Sequence, residues 1–267
     1  MKDNKNFNIW LAGLIEGDGC IYTPETCDKK KKYPHIQIAF NKKDEELANK
    51  IVAILKSGYL SIDQNTIRIT WNKKEYLLSL IERLNGHMRT PKILRLHKLI
   101  DWYKEENIIK KDLDLSPMGS NSWLSGMSDA DSNFNIILTD RGNSYRVQRQ
   151  WRLEISQKTY IGSDQYNWAQ LTSAFINTNL LSRHRHLFAE KKLYSSYIIV
   201  AHNQESLKII EDYFSTYPLY SSKFLDFNDW KKCGLNTEKN KENYDRVVFI
   251  KSGMNNKRTH FNWDHIN

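Results

Sequence analysis

Apolar positions along this chain recur with two periods, and the switch between them predicts its elements. Ile9, Trp10, Leu14 and Ile15 fall at helical spacing behind Asn8, a candidate N-cap. Residues 21–23 predict the start of a strand and 35–40 a return strand. Over residues 43–56, Leu47, Ile51, Ile54 and Leu55 share one helical face. Residues 58–62 and 66–71 alternate as a second hairpin with Asn65 near its turn, and helical spacing resumes over 74–84 and 91–104. The same order then returns: a helix from Trp123, a hairpin over 133–157, a helix over 164–177, a hairpin over 180–200, and helices over 204–216 and 222–231. Residues 24–34, with Pro24, Pro34 and Lys29 to Lys32, read as a basic hairpin loop, and 236–243 as a polar loop. The pattern predicts an α+β protein of two repeats, each a four-stranded sheet with helices on one face. The first repeat spans 1–111, a linker 112–121, and the second repeat 122–267.

The repetition is also visible residue by residue. Residues 10–19 read Trp-Leu-Ala-Gly-Leu-Ile-Glu-Gly-Asp-Gly, and 123–132 read Trp-Leu-Ser-Gly-Met-Ser-Asp-Ala-Asp-Ser. Trp10/Trp123, Leu11/Leu124, Gly13/Gly126 and Asp18/Asp131 are identical pairs, each 113 residues apart. As helices, the two copies put Gly13 and Gly17, and Gly126 and Ala130, on one face. Glycine inside a helix costs about 1 kcal/mol relative to alanine, so the spacing predicts close approach of another backbone, with these four residues joining the repeats. Asp18 and Asp131 fall at the last turn, where the dipole and unpaired carbonyls are already negative. If the two helices pair, the carboxylates also repel each other, and a divalent cation relieves both effects. Asp-Gly at a helix end is also ordinary turn chemistry. The acid in register in both copies favours the cation.

Residues 145–156 separate into two phases. One holds Tyr145, Val147, Trp151, Leu153 and Ile155, the other Arg146, Gln148, Gln150, Arg152 and Glu154. Arginine and glutamine reach the edges of guanine and adenine bidentately, and a β-ribbon fits the major groove. Gln37, Arg68 and Thr70 in the first repeat, and Arg183 and Arg185 in the second, extend this set of candidate base and phosphate contacts. A polar sheet face is also commonly just solvated. His184 and His186 alternate on a strand and read as polar strand residues before metal ligands. The chain has 267 residues, with Lys+Arg 40 against Asp+Glu 31 for a net charge of +9, a balance that suits a polyanionic partner. Cys20, Cys27 and Cys233 lack zinc spacing, and their odd count argues for a reducing compartment. The apolar runs are too short to span a bilayer, and no secretory or transit signal is read at the start.

The two motifs resemble the LAGLIDADG homing endonucleases in their monomeric, two-motif form. Residues 11–19 depart from the name motif only at Glu16 and Gly17, and 124–132 depart at Ser125, Met127, Ser128 and Ser132. The resemblance covers nearly the whole chain. It implies pseudo-symmetric αββαββα repeats, antiparallel sheets forming a DNA-binding saddle, and motif helices at the repeat interface. It also implies metal-dependent double-strand cutting of a long, asymmetric or pseudo-palindromic DNA target. On this resemblance Asp18 and Asp131, with the backbone carbonyls of Gly17 and Ala130, hold Mg²⁺ (or Mn²⁺ in vitro), while Ca²⁺ binds without supporting cleavage. Lys92, after Thr90-Pro91, and Lys223, after Ser221-Ser222, match the family's lysines that order the attacking water. Gln157, at a strand end, matches its active-site glutamine. With Ile38 as the counterpart of Ile155, Phe40 stands opposite Gln157, and Asn41 is the candidate to compensate. Members of the same family also act as RNA maturases on group I introns, which gives the alternative function and a second partner. A mitochondrial, intron-encoded origin is expected on the same ground.

Overall fold

In the computed structural model, residues 1–25, 33–142, 144–159, 161–187, 192–235 and 238–267 are described. Cys27 and the run from Lys29 to Lys32 lie outside them. The chain groups into two compact units, residues 1–130 with 265–267, and residues 131–264.

In the first unit, α1 (Lys5–Gly17) leads into β1 (Gly19–Tyr22), β2 (His35–Asn41), α2 (Glu45–Leu55), β3 (Tyr59–Ile62), β4 (Thr66–Trp71), α3 (Lys74–Leu84) and α4 (Ile93–Trp102). Helix α1 begins earlier than its apolar spacing suggests. Asn4, not Asn8, is the cap, its side chain accepting from the Phe7 amide at 2.9 Å and bringing Phe7 into the core. The strands form an antiparallel sheet in the order β1-β2-β4-β3. Ile36, Ile38, Ile67, Ile69 and Trp71 face the helices and are fully buried. The register stacks Cys20, Gln37, Thr70 and Tyr59 in one row of the opposite face, and Ala39, Arg68 and Ser61 in the next. Helix α5 (Trp123–Asp131) carries the second motif, and through residue 130 it belongs to this unit.

Residues 112–121, expected as a linker, are fastened to this unit. The Arg89 guanidinium donates to the Ser116 carbonyl and hydroxyl at 2.6 Å each and to Asp114 at 2.9 Å, and the Asp114 amide donates to the Met88 carbonyl at 2.8 Å.

The second unit contains β5 (Ser132–Asp140), β6 (Tyr145–Ser156), α6 (Tyr166–Phe175), β7 (Leu181–Leu187), β8 (Lys192–Ala201), α7 (Gln204–Thr216), α8 (Lys223–Lys232) and α9 (Lys241–Ser252). Its sheet repeats the first topology, β5-β6-β8-β7. Its core centres on an aromatic cluster: Phe134 packs against Phe214, Phe227 and Trp230 at centroid distances of 5.7, 5.4 and 5.4 Å. Helix α9 corrects the loop expected over 236–243. Asn240 caps it by accepting from the Asn243 amide at 2.8 Å, but its face is too polar to show helical spacing, with only Asn243 and Val247 buried. Each repeat thus carries more helices after its second hairpin than αββαββα has. No helix among the described residues is long and apolar enough to cross a membrane.

Candidate active site and nucleic-acid interface

The motif helices meet backbone to backbone inside the first unit. A Cβ on Gly13 would collide with the Trp123 carbonyl oxygen and lie 2.9 Å from the Met127 nitrogen. A Cβ on Gly126 would collide with the Trp10 carbonyl oxygen and lie 2.8 Å from the Leu14 nitrogen. No other residue fits at either position. The contact is also locked reciprocally at its edges. The Trp10 indole N–H donates to Asp129 Oδ2 at 2.8 Å, and the Trp123 indole N–H donates to Glu16 Oε2 at 2.6 Å. Glu16 and Asp129 occupy the same motif position (16 + 113 = 129), each bonded by the other helix's tryptophan.

Glu16, one of the two departures from the name motif, therefore has a defined task. It is buried and also accepts from the amides of Arg89 at 3.1 and 3.0 Å and Thr90 at 2.6 Å. Burial pushes its carboxyl above the ordinary range against the pull of these donors. Holding the Arg89–Thr90 backbone sets the start of α4, and with it Lys92. The Lys92 ammonium donates to the carbonyls of Ile15, Gly17 and Gly19 at 3.0, 3.2 and 2.9 Å. A cation thus sits at the carbonyl end of α1, where the helix dipole favours it. The second repeat copies the local turn: Ser221 Oγ accepts from the Lys223 amide at 3.2 Å, as Thr90 Oγ1 does from the Lys92 amide at 3.2 Å.

Asp18 is the C-cap of α1, exposed, with its amide bonded to the Leu14 carbonyl at 2.9 Å. Asp131 is the last residue of α5 and is likewise exposed. Each acid stands immediately before the first strand of a sheet, β1 or β5. Their donor set suits a hard cation that keeps several waters. The Gly17 carbonyl accepts from Lys92, and a carbonyl oxygen carries two lone pairs. No group of three His, Cys, Asp or Glu residues with metal-binding geometry occurs among the described residues. His184 lies on β7 with its Nδ1 2.8 Å from Ser195 Oγ. Gln157 follows the end of β6, its amide donating to the Ser195 carbonyl at 2.9 Å and its carbonyl accepting from Gln165 at 2.8 Å. Phe40 is buried on the helix side of the first sheet, and Asn41 Oδ1 accepts from the Lys43 amide at 3.1 Å.

The remaining sequence candidates fall on the sheet faces turned away from the helices. Gln37 opposes Thr70, and Arg68 is exposed on β4 beside them. On β6 the face away from the core carries Arg146, Gln148, Gln150, Arg152 and Glu154, the first four opposite Thr139, Ile137, Asn135 and Asn133. Arg183 and Arg185 share this side of β7 by register. Two charged residues have roles that the sequence pattern does not assign. Arg149 lies in the apolar phase of β6, where its guanidinium packs 4.6 Å from the Trp230 ring centroid and bonds Glu211 at 2.5 Å. Gly234 leaves room for it, since a Cβ there would strike the guanidinium. Glu154 is the other, and its signal was available: it is the single acid in an outward phase of Arg and Gln.

The comparisons with known proteins agree with this architecture. The model of the LAGLIDADG endonuclease family matches residues 11–103 and 124–234. The intron-encoded DNA endonuclease aI3 of Saccharomyces cerevisiae is 34% identical, covering 100% of this chain and 76% of its own length. The intron-encoded RNA maturase bI4 of the same organism is 30% identical over 58% of this chain and 23% of its own. Among solved structures, the LAGLIDADG homing endonuclease I-SmaMI bound to cleaved DNA superposes with a TM-score of 0.73 at 14% identity, over 94% of this chain and 98% of that one. With both motifs matched, both sheets in the same topology and a relative covered along most of its length, the chain is a member of the LAGLIDADG endonuclease family.

Proposed function

We propose that this chain is a site-specific homing endonuclease that hydrolyses one phosphodiester in each strand of a long, non-palindromic DNA duplex. One observation carries this reading: each repeat keeps an exposed acid, Asp18 or Asp131, at the head of a sheet whose outward face is lined with Arg, Gln and Thr. The 34%-identical DNA endonuclease supports it.

Asp18 with the Gly17 carbonyl, and Asp131 with the Ala130 carbonyl, are the groups that would hold divalent ions, Mg²⁺ by their hard oxygen chemistry. Such ions lower the pKa of water and neutralise charge developing on the phosphate. The protein's own part is placement. The glycine contact and the Trp–carboxylate pairs fix the motif helices, Glu16 fixes the turn ahead of Lys92, and Lys92 neutralises the carbonyl end beside Asp18. Lys223 and Gln157 take corresponding positions in the second repeat and order water near the phosphate. Gln37, Arg68 and Thr70 read one half-site, and Arg146, Gln148, Gln150, Arg152, Arg183 and Arg185 the other. The protein acts as a monomer in the mitochondrion, on the DNA from which its intron is absent, as its intron-encoded yeast relatives suggest.

The test is incubation with Mg²⁺ and duplex DNA spanning the intronless insertion site. A site-specific double-strand cut is expected. Intron RNA binding with no such cut would overturn the reading in favour of the maturase one, which the 30% identity to an RNA maturase supports.

A further inference from the structure

The outward face of the second sheet contains a built charge cluster that the cutting reaction does not use. Glu154 Oε2 accepts from the Arg152 guanidinium at 2.5 Å and from Arg185 at 3.0 Å; Oε1 accepts from Arg185 at 2.8 Å and from the Ser196 hydroxyl at 2.7 Å. Arg183 stands 4.0 Å away. Three arginines from β6 and β7 thus converge on one carboxylate, and the register explains how. Glu154 opposes Ile198 on β8, Ser196 opposes both Ser156 and Arg183, and Arg185 opposes Tyr194. A shallow cavity of about 310 Å³ opens beside the cluster, lined by Glu154, Ser156, Arg185, Tyr194 and Ser196 among others. The first sheet has nothing comparable. At the position matching Glu154 by register it has the neutral Ala39, and no ion pair lies on its outward face among the described residues.

A carboxylate is an expensive thing to place on a surface meant for DNA, since it repels the phosphates. Its position on this face therefore needs a physical reason. We propose that Glu154 is a specificity-determining residue that holds the arginines of this face in one arrangement and withholds their charge from phosphates. Each guanidinium carries more N–H donors than Glu154 consumes. An arginine can therefore meet a guanine edge with its remaining donors while its ion pair stays intact. Bonding a phosphate on non-matching DNA instead draws the arginine away and leaves Glu154 unpaired next to a polyanion. Glu154 penalises the second mode and not the first, which is discrimination by a repulsive element. This inference rests on the DNA-cleavage reading above.

The experiment uses the full chain in Ca²⁺ buffer. A preferred duplex is selected from a pool of randomised duplexes, and binding to it and to a scrambled duplex of the same composition is measured over a salt series. For Glu154→Gln, the scrambled duplex is expected to bind about tenfold tighter. The selected duplex should change by less than about twofold, and the salt dependence on scrambled DNA should steepen by about 0.9 in log–log slope per arginine released. An unchanged affinity ratio and slope, with wild-type discrimination present, would make Glu154 a structural brace and overturn the proposal. Wild-type protein that fails to distinguish any selected duplex from the scrambled one defeats the DNA reading itself, and the proposal with it. The Arg183→Gln/Arg185→Gln double variant tests the idea even if Glu154→Gln does not fold. It should lose about tenfold on the selected duplex and almost nothing on the scrambled one, and an equal loss on both overturns the proposal.

Discussion

The two sheets of this protein share strand order and antiparallel pairing, yet their outward faces are charged by different rules. The first presents Gln37 and Thr70 in one row and Arg68 in the next, with no acid between them. The second presents more arginines and holds three of them on Glu154. Burial raises the Glu154 carboxyl, but the Ser196 hydroxyl and the Arg152 guanidinium outweigh it, so the net direction is down and the cluster stays ionised near neutrality. A duplicated fold has kept its backbone solution and changed its surface electrostatics. On the first face the charge of Arg68 stands beside Ala39 and Ser61, with no acid in its row. The second gives up part of its charge to fix where that charge points.

The comparison can be broken most decisively at the motif acids, where the two repeats should be equivalent. Asp18→Asn and Asp131→Asn should each lower double-strand cutting by about a thousandfold, the size of losing several kcal/mol of charge stabilisation, while duplex binding changes little. Cutting that survives both changes puts the chemistry elsewhere. Next in size is the helix contact. Gly13→Ala or Gly126→Ala drives a methyl into a carbonyl of the facing helix and should cost about 3 kcal/mol or more in thermal unfolding. Gly142→Ala is the control: its φ of +77° is unfavourable to a side chain, but nothing lies within 4 Å, and about 1 kcal/mol is expected.

Glu16→Gln puts an amide NH₂ in place of one carboxylate oxygen, against two of the N–H donors that oxygen accepts from, and should cost about 1–3 kcal/mol. It also carries a pH signature. Because burial raises Glu16 above its ordinary 4.5, folding takes up a proton in the window that opens at that value. The Glu16 contribution is therefore fully present below 4.5 and declines as pH rises through the window, and the Gln variant should lack that decline in a pH series of denaturant melts. On the DNA side, Arg68→Ala and Arg146→Ala should each relax preference at one base position by about tenfold, read as the ratio of selected to scrambled binding. The smallest effect is chemical. Cys233 is buried and its thiol is pushed up to about 11, so iodoacetamide at neutral pH should modify exposed Cys20 and spare Cys233 until the chain unfolds, as peptide mapping would show.

Much of this was legible in the residues. The paired period-2 runs and the amphipathic runs between them locate sixteen of the seventeen helices and strands among the described residues, all but α9, and give a four-stranded sheet in each repeat. Helix α9 was hidden because a helix held by one cap and one buried valine leaves no apolar stripe to read. The roles of Glu16 and Asp129 were hidden for another reason. In sequence they are substitutions inside a motif, and only when the helices touch does each meet the other's tryptophan. Arg149 was passed over because its phase along β6 is apolar, and nothing local reveals that Trp230 and Gly234 make a slot for a guanidinium.

By itself the sequence determined the duplication, the small residues at Gly13 and Gly126, and the acid closing each motif helix. These depend on local spacing, which a linear pattern carries in full. The tertiary structure decided which carboxylates are partners and which remain exposed. Glu16, Asp129 and Glu154 meet donors 107, 119 and 31 residues away, and Asp18 and Asp131 are solvent-exposed at the heads of their sheets. The reason is physical: a side chain's charge state and its remaining hydrogen-bonding capacity depend on its neighbours in space, and those neighbours are set by chain reversal and register.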